Sequence, residues 1–280
     1  MADSVSQIVL VTDLSPSCDR AAVRATDLAA SWGAKLRVLV VAEPSLTSSG
    51  ELADADAAAL RAKAADSLKG HDVTISVAAA SGDSAISARP DEFPADLIVT
   101  GPSDGRGFGD SALSRTAAAL MKRSHAPVLV AKTAGDRAYR RVATAIDLSD
   151  ASRAVIDVAH RLFASSATVA VFHAFSTPFR MFSGDVAAYE AGIREGVTGE
   201  IRDALKAWAV PNASDIAVIT EYGDPAARVA KLAERKDIDL VVTGTHGRTG
   251  LLSLLLGSVA RDIVQSAGCD VMVVPTEAAH

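Results

Sequence analysis

The chain carries one unit written twice, and that repetition restricts it to two copies of a single fold. IVLVTDLSPSCDRAAVRATDLAA, Ile8 to Ala30, and RVATAIDLSDASRAVIDVAHRL, Arg141 to Leu162, each join a strand-like run, the tripeptide Asp-Leu-Ser and a helical pattern. Further on, ADLIVTG (Ala95 to Gly101) matches IDLVVTG (Ile238 to Gly244). From those glycines the copies align without a gap to APVLVA and CDVMVVP. Two homologous domains, residues 1–134 and 141–280, therefore meet at the polar segment Thr133 to Arg140. With 280 residues, each half is long enough to bury its own core.

Each half reads strand, helix, strand, long helix, strand, short helix, strand, glycine-rich loop, helix, strand. In the second half the expected strands are Val142–Asp147, Thr168–Ala174, Ile216–Tyr222, Leu240–Thr243 and Val271–Val274. Short apolar runs bounded by Gly, Pro and Asp and alternating with amphipathic helices predict an α/β domain with a parallel sheet covered on both faces. In such sheets ligands sit beyond the carboxyl ends of the strands, where the strand order reverses. Asp13 and Asp147 are expected to end first strands, and Gly101 and Gly244 to end fourth strands.

Charge and cysteine usage narrow the function. A net charge of -6 gives no basic footprint for nucleic acid or an anionic membrane surface. No apolar run approaches the ~18 residues of a membrane span. Cys18 and Cys269 lie in unrelated contexts without metal-ligand spacing, so a reducing cytoplasm is expected. The segment MADSVSQ has no basic region of the kind that opens a signal peptide. Cys18 lies near a helix start, where a thiol pKa can fall, but a buried, inert thiol is the favoured expectation.

The stretch Leu240 to Pro275 has the order of a phosphate cradle: strand, glycines, then a helix opening at Gly257-Ser258. Glycines let backbone N–H groups approach an anion, and a helix N-terminus adds unpaired donors and partial positive charge. Ser258 is expected at the N-cap, with its hydroxyl as a further donor. The spacing matches neither GxxxxGK[ST] nor GxGxxG.

The pattern G-x2-G-x9-G-[ST], followed by a helix and a Val-rich strand, resembles the nucleotide-binding motif of the universal stress protein family. The run from Thr220 to Gly250 strengthens the likeness. The resemblance implies two Rossmann-like (adenine nucleotide alpha hydrolase-like) domains, each a five-stranded parallel sheet flanked by helices. It places Asp147 beside adenine and ribose, and the backbone of Ala174 at the adenine edge. Gly244, Gly247, Gly257 and Ser258 would hold the ribose and triphosphate of ATP, with His246 and Arg248 adding charge. Structural readings stand beside these: a turn or N-cap carboxylate for Asp147, ordinary packing for Ala174, and a solvent-facing loop residue for His246. The Leu251–Leu256 run is expected to be a short packed helix.

The first half is an altered copy. Asp104 stands at the position of Gly247, Ser114 at Gly257 and Arg115 at Ser258. Asp104 would repel phosphate while Arg115 could pair with it, so this half is expected to bind ATP weakly or not at all. Phe175 to Gly184, with three Phe and a Met, is read as a lid over the base, with core packing the alternative.

Three functions follow in order. The first is a stress-response module that binds ATP in the C-terminal domain and responds to nucleotide. The second is a scaffold or small-ligand binding protein. The third is a slow ATPase, with Mg2+ shared between Asp147 and the phosphates left open. No Walker lysine or catalytic dyad stands at a meaningful spacing, so enzymology ranks last and no catalytic residue is assigned. The resemblance also implies antiparallel pairing of the last strands, Pro127–Ala131 with Asp270–Val274. That would make an intramolecular pseudo-dimer and leave further homodimerisation open.

Overall fold

A computed structural model describes residues 5–42, 54–79, 94–102, 115–135, 137–176, 186–245 and 256–276. In the first repeat β1 is Gln7–Thr12, a 3-10 turn spans Pro16–Cys18, α1 is Asp19–Trp32, β2 Lys35–Ala42 and α2 Asp54–Ser67. There follow β3 Val73–Ala79, β4 Leu97–Thr100, α3 Arg115–Arg123 and β5 Val128–Val130. The second repeat gives β6 Arg141–Ala145, α4 Asp150–Phe163, β7 Thr168–Phe175, α5 Val186–Ala207, β8 Val218–Tyr222 and α6 Pro225–Glu234. It closes with β9 Leu240–Gly244, α7 Ser258–Ser266 and β10 Asp270–Val274.

Spatially the chain divides into unit 1, Met1–Ala138 with Asp270–Pro275, and unit 2, Tyr139–Cys269 with Thr276–His280. Unit 1 holds five parallel strands in the order β3-β2-β1-β4-β5. There β10 joins antiparallel to β5, with Val271 opposite Val130, Met272 opposite Leu129 and Val273 opposite Val128. Unit 2 has the parallel order β9-β6-β7-β8. Among the described strands, β4 and β10 are buried along their whole length and β9 up to Gly244, as Val/Ile/Leu runs covered on both faces require.

Local chemistry sets the helix ends. α1 stops at Gly33, whose φ of 65° allows its N–H and that of Ala34 to return to Ala29 O. α6 starts at Pro225 behind Asp224, whose carboxylate accepts from Ala227 N–H at 2.8 Å. In unit 2, Ile146, Ile156, Val171, Ile201, Leu205, Val210 and Ile216 form a buried cluster that α4 and α5 close over the sheet.

The structure shifts three expected positions. Asp147 lies two residues past β6, because Leu148 turns the chain at φ 63° and pairing stops at Ala145. Strand β8 begins at Val218; Ile216 is buried ahead of it. Ser258 is the first helical residue of α7, and the N-cap is Gly257. The short helix expected between β3 and β4 falls outside the described residues.

Candidate functional site

Strand order puts the reversal of each unit between its first and fourth strands, β1 and β4 in unit 1, β6 and β9 in unit 2. At the carboxyl end of β6 the chain makes an Asp-Leu-Ser turn. Asp147 Oδ1 accepts from Ser149 N–H at 3.1 Å, Ser149 Oγ at 2.6 Å and Ser152 Oγ at 3.0 Å. Leu148 takes the left-handed conformation, costing about 1 kcal/mol, and packs its side chain against the unit 2 cluster. The same turn recurs in unit 1, with Leu14 at φ 58° and Asp13 Oδ1 accepting from Ser15 N–H at 2.9 Å. Burial pushes the Asp13 carboxyl up, but hydrogen bonds from Ser15 and Cys18 outweigh it and hold the group below the usual carboxylate range. Asp147 is therefore a turn carboxylate in its own right, whatever else it contacts.

Ala174 lies two residues beyond the last β6–β7 pair, Ala145 with Phe172. Main-chain groups alternate sides along a parallel strand. Phe172 O accepts from Ile146 N–H on the β6 side, whereas Phe175 O accepts from Gly223 N–H on the other. Ala174 shares the parity of Phe172, so its N–H and C=O face the region above Ile146 and Asp147. His173 joins the same corner, with Nδ1 2.8 Å from Ile146 O. A carbonyl only accepts, so Nδ1 is the donor in this contact. Sequence reasoning missed His173; the parity of β7 beside the end of β6 was the signal available.

Opposite stands the end of β9. Gly244 is its last residue and is followed by Thr245, whose carbonyl accepts from Gly257 N–H at 2.8 Å. Thr245 is further tied to Thr276, Oγ1 to Oγ1 at 3.1 Å and Thr276 N–H to Oγ1 at 3.0 Å. These bonds set the N-terminus of α7 beside the carboxyl end of β9. Gly257 N–H thus serves the fold, and the first-turn donors left without an intrahelical acceptor are those of Ser258, Val259 and Ala260. His246, Gly247 and Arg248 lie outside the described residues.

Unit 1 shows what the equivalent glycine does there. A Cβ on Gly101 would meet Cys18 Sγ and Ser17 O at 2.9 Å and Cys18 Cα at 3.0 Å, so close packing on the 3-10 turn by itself accounts for glycine. Cys18 is buried, and burial, aided by the Asp13 charge, pushes its thiol pKa up, matching the expectation of an inert cysteine. α3 begins at Arg115, the repeat equivalent of Ser258. Asp104, Ser114 and the Arg115 side chain lie outside the described residues, as do Phe179 and Phe182 of the expected lid. Phe175 is buried and stacks edge-on against Tyr222 at 5.7 Å. Among the described residues no cluster of three or more His, Cys, Asp or Glu is arranged to hold a metal, and no helix is long and apolar enough to cross a membrane.

Comparison with known proteins agrees with this architecture. The chain is 36% identical over 142 residues to Universal stress protein A homolog 1 of Coxiella burnetii, covering 49% of this chain and 96% of that one. A 52-residue stretch is 50% identical to a universal stress protein of Methanocaldococcus jannaschii, covering 19% of this chain and 31% of that one. In fold it resembles a functionally unknown protein from Pseudomonas aeruginosa PAO1, with TM-score 0.68, 19% identity and coverage of 98% and 93%. A universal stress protein from Archaeoglobus fulgidus is similar too, with TM-score 0.64, 18% identity and 96% coverage of both chains. The Universal stress protein family matches residues 5–132 and again 138–275, and the chain belongs to that family, with two of its α/β domains in tandem.

Proposed function

We propose that the chain is a stress-response module that binds an adenine nucleotide, ATP, at the strand-order reversal of the second repeat. The observation that carries this reading is the juxtaposition above β6. The Ala174 main chain faces that region, Asp147 flanks it, and the β9 end opposite is bonded through Thr245 and Gly257 to a helix start. In this reading Asp147 and Ala174 take the base and ribose. Gly244, Gly247, Gly257 and Ser258 hold the ribose and triphosphate, Gly257 by close main-chain approach because its N–H is taken by Thr245 O, while His246 and Arg248 add charge and Mg2+ neutralises the phosphates. The first repeat, bearing Arg115 for Ser258 and Asp104 for Gly247, binds ATP weakly or not at all. Repeat limits of 1–134 and 141–280, an intramolecular pseudo-dimer built on the β5–β10 pairing, and a cytoplasmic setting belong to the same proposal.

A scaffold that uses no nucleotide has two observations in its favour. Asp147 is engaged as a turn carboxylate like Asp13, and the Gly101 position is explained by packing. Calorimetry with ATP and Mg2+ separates the two. On the nucleotide reading, Ser258→Ala weakens binding by roughly tenfold, the loss of one hydrogen bond to a charged group, and Gly257→Val abolishes it. Equal affinity in all three proteins would remove the cradle.

A further inference from the structure

Asp270 opens β10 fully buried, in a socket made by the first repeat. Its Oδ1 accepts from Lys132 N–H, Thr133 N–H and the Thr133 hydroxyl, each at 2.8 Å. Its Oδ2 accepts from Arg24 Nε at 3.1 Å. Arg24, also buried, donates further to the carbonyls of Arg137 at 2.6 Å and Ala134 at 3.3 Å. Gly135 packs so near α1 that a Cβ would fall 2.6 Å from Arg24 N. A carboxylate this deep is tolerated only when paired and hydrogen-bonded, and here both conditions are met within unit 1.

The socket has no counterpart in the other repeat. The gap-free alignment makes Leu129 the equivalent of Met272, and the two stand opposite each other, so β5 and β10 pair with local twofold pseudo-symmetry. That register would equally let β10 of one copy pair with β10 of another, or β5 with β5. The chemistry around it differs. The same alignment sets Pro127 at Asp270, Pro275 at Lys132, and, through the Asp-Leu-Ser match, Val158 at Arg24. Proline has no N–H to donate, and valine has no charge. Two β10 strands would bury each Asp270 without its guanidinium and without one main-chain donor. Two β5 strands would leave each Arg24 facing a proline.

We propose that the Arg24–Asp270 socket is a partner-selecting device: it directs β5 to accept the Asp270-bearing strand and opposes like-with-like strand pairing between copies of the chain. Attraction at the correct strand and an unpaired buried charge at the wrong one act together.

Single cysteines in the full-length chain test it. Met272→Cys would face itself in a β10–β10 pair and report that pair as a disulfide-linked dimer on a non-reducing gel, with the parent chain as blank. Leu129→Cys with Met272→Cys reports the observed pairing as an in-chain disulfide. With the socket intact, Met272→Cys is expected to give no more dimer than the parent. Adding Arg24→Val and Asp270→Asn together is expected to raise dimer by roughly tenfold or more, and Asp270→Asn alone, which keeps the shape and an acceptor, by less. If the combined variant does not fold, Asp270→Asn decides. Dimer yield unchanged by Asp270→Asn, while the two-cysteine chain still closes on itself, would overturn the proposal. So would ready dimerisation of Met272→Cys with the socket intact.

Discussion

Gly101→Ala should destabilise unit 1 by steric means alone. Gly101 does not have a left-handed φ, so alanine carries no backbone penalty there. The cost comes from the added Cβ, 2.9 Å from Cys18 Sγ, 2.9 Å from Ser17 O and 3.0 Å from Cys18 Cα. Two of those atoms are main chain, in a 3-10 turn held by Cys18 N–H to Ser15 O at 2.9 Å, so they cannot rotate away. Overpacking of this kind costs about 1–3 kcal/mol. In a protein of this size each kcal/mol lowers Tm by roughly 2–4 °C. Urea unfolding followed by Trp32 fluorescence, in a Trp208→Phe background, reads unit 1. The midpoint should fall at unchanged slope. Adding Cys18→Ala should recover only part of the loss, because Ser17 O and Cys18 Cα remain. An unchanged midpoint in Gly101→Ala would refute the packing argument, and with it the reason given for a glycine persisting at a position where the residues that follow differ between the repeats.

Three other changes follow from local structure. Asp224→Ala removes the α6 cap at Ala227 N–H and should cost about 1 kcal/mol, seen as a lower urea midpoint. Lys236 is exposed at φ 58° just past α6, so Lys236→Gly should stabilise by about 0.5–1 kcal/mol in the same assay. Acid should destabilise in two stages. Burial, against the opposing pull of Asp157, holds the His160 pKa below its ordinary value, while Asp13 and Asp239 are held below theirs despite burial, Asp239 by Arg140 and Arg141. A group depressed in the folded state gives stability that is present above its unfolded pKa and lost as pH falls through its folded pKa. The His160 contribution therefore fades from about pH 6.5 downward and the carboxylates follow below about pH 4. Urea midpoints measured against pH should fall monotonically on acidification, and His160→Leu should flatten the first limb. A midpoint that rises from pH 7 to 5 would contradict the assignment.

Much of this was legible because buried parallel strands announce themselves as continuous apolar runs. Leu240–Gly244 and Asp270–Val274 fall within one residue of their expected places, and the gap-free repeat sets Arg115 and Ser258 as matching helix starts. The finer placement of the site was not legible. Asp147 was expected to end its strand, yet a left-handed Leu148 ends pairing earlier, and leucine gives no hint of that conformation. The bond from Gly257 to Thr245, which accompanies Gly257 as the cap and Ser258 as the first helical residue, joins residues that are not neighbours in the sequence. Nor did any local pattern mark Arg24 and Asp270 as a pair, since they lie at opposite ends of the chain. Long-range hydrogen bonds to single side chains leave no periodicity to read.

The central claim, nucleotide in the second repeat, is tested most directly by denaturing freshly purified protein and identifying what is released by mass spectrometry, quantified per chain. The account predicts one adenine nucleotide per chain, with Gly257→Val releasing none. A chain that releases no nucleotide and gives no heat with ATP in calorimetry would contradict it and leave the glycine loop as a structural remnant.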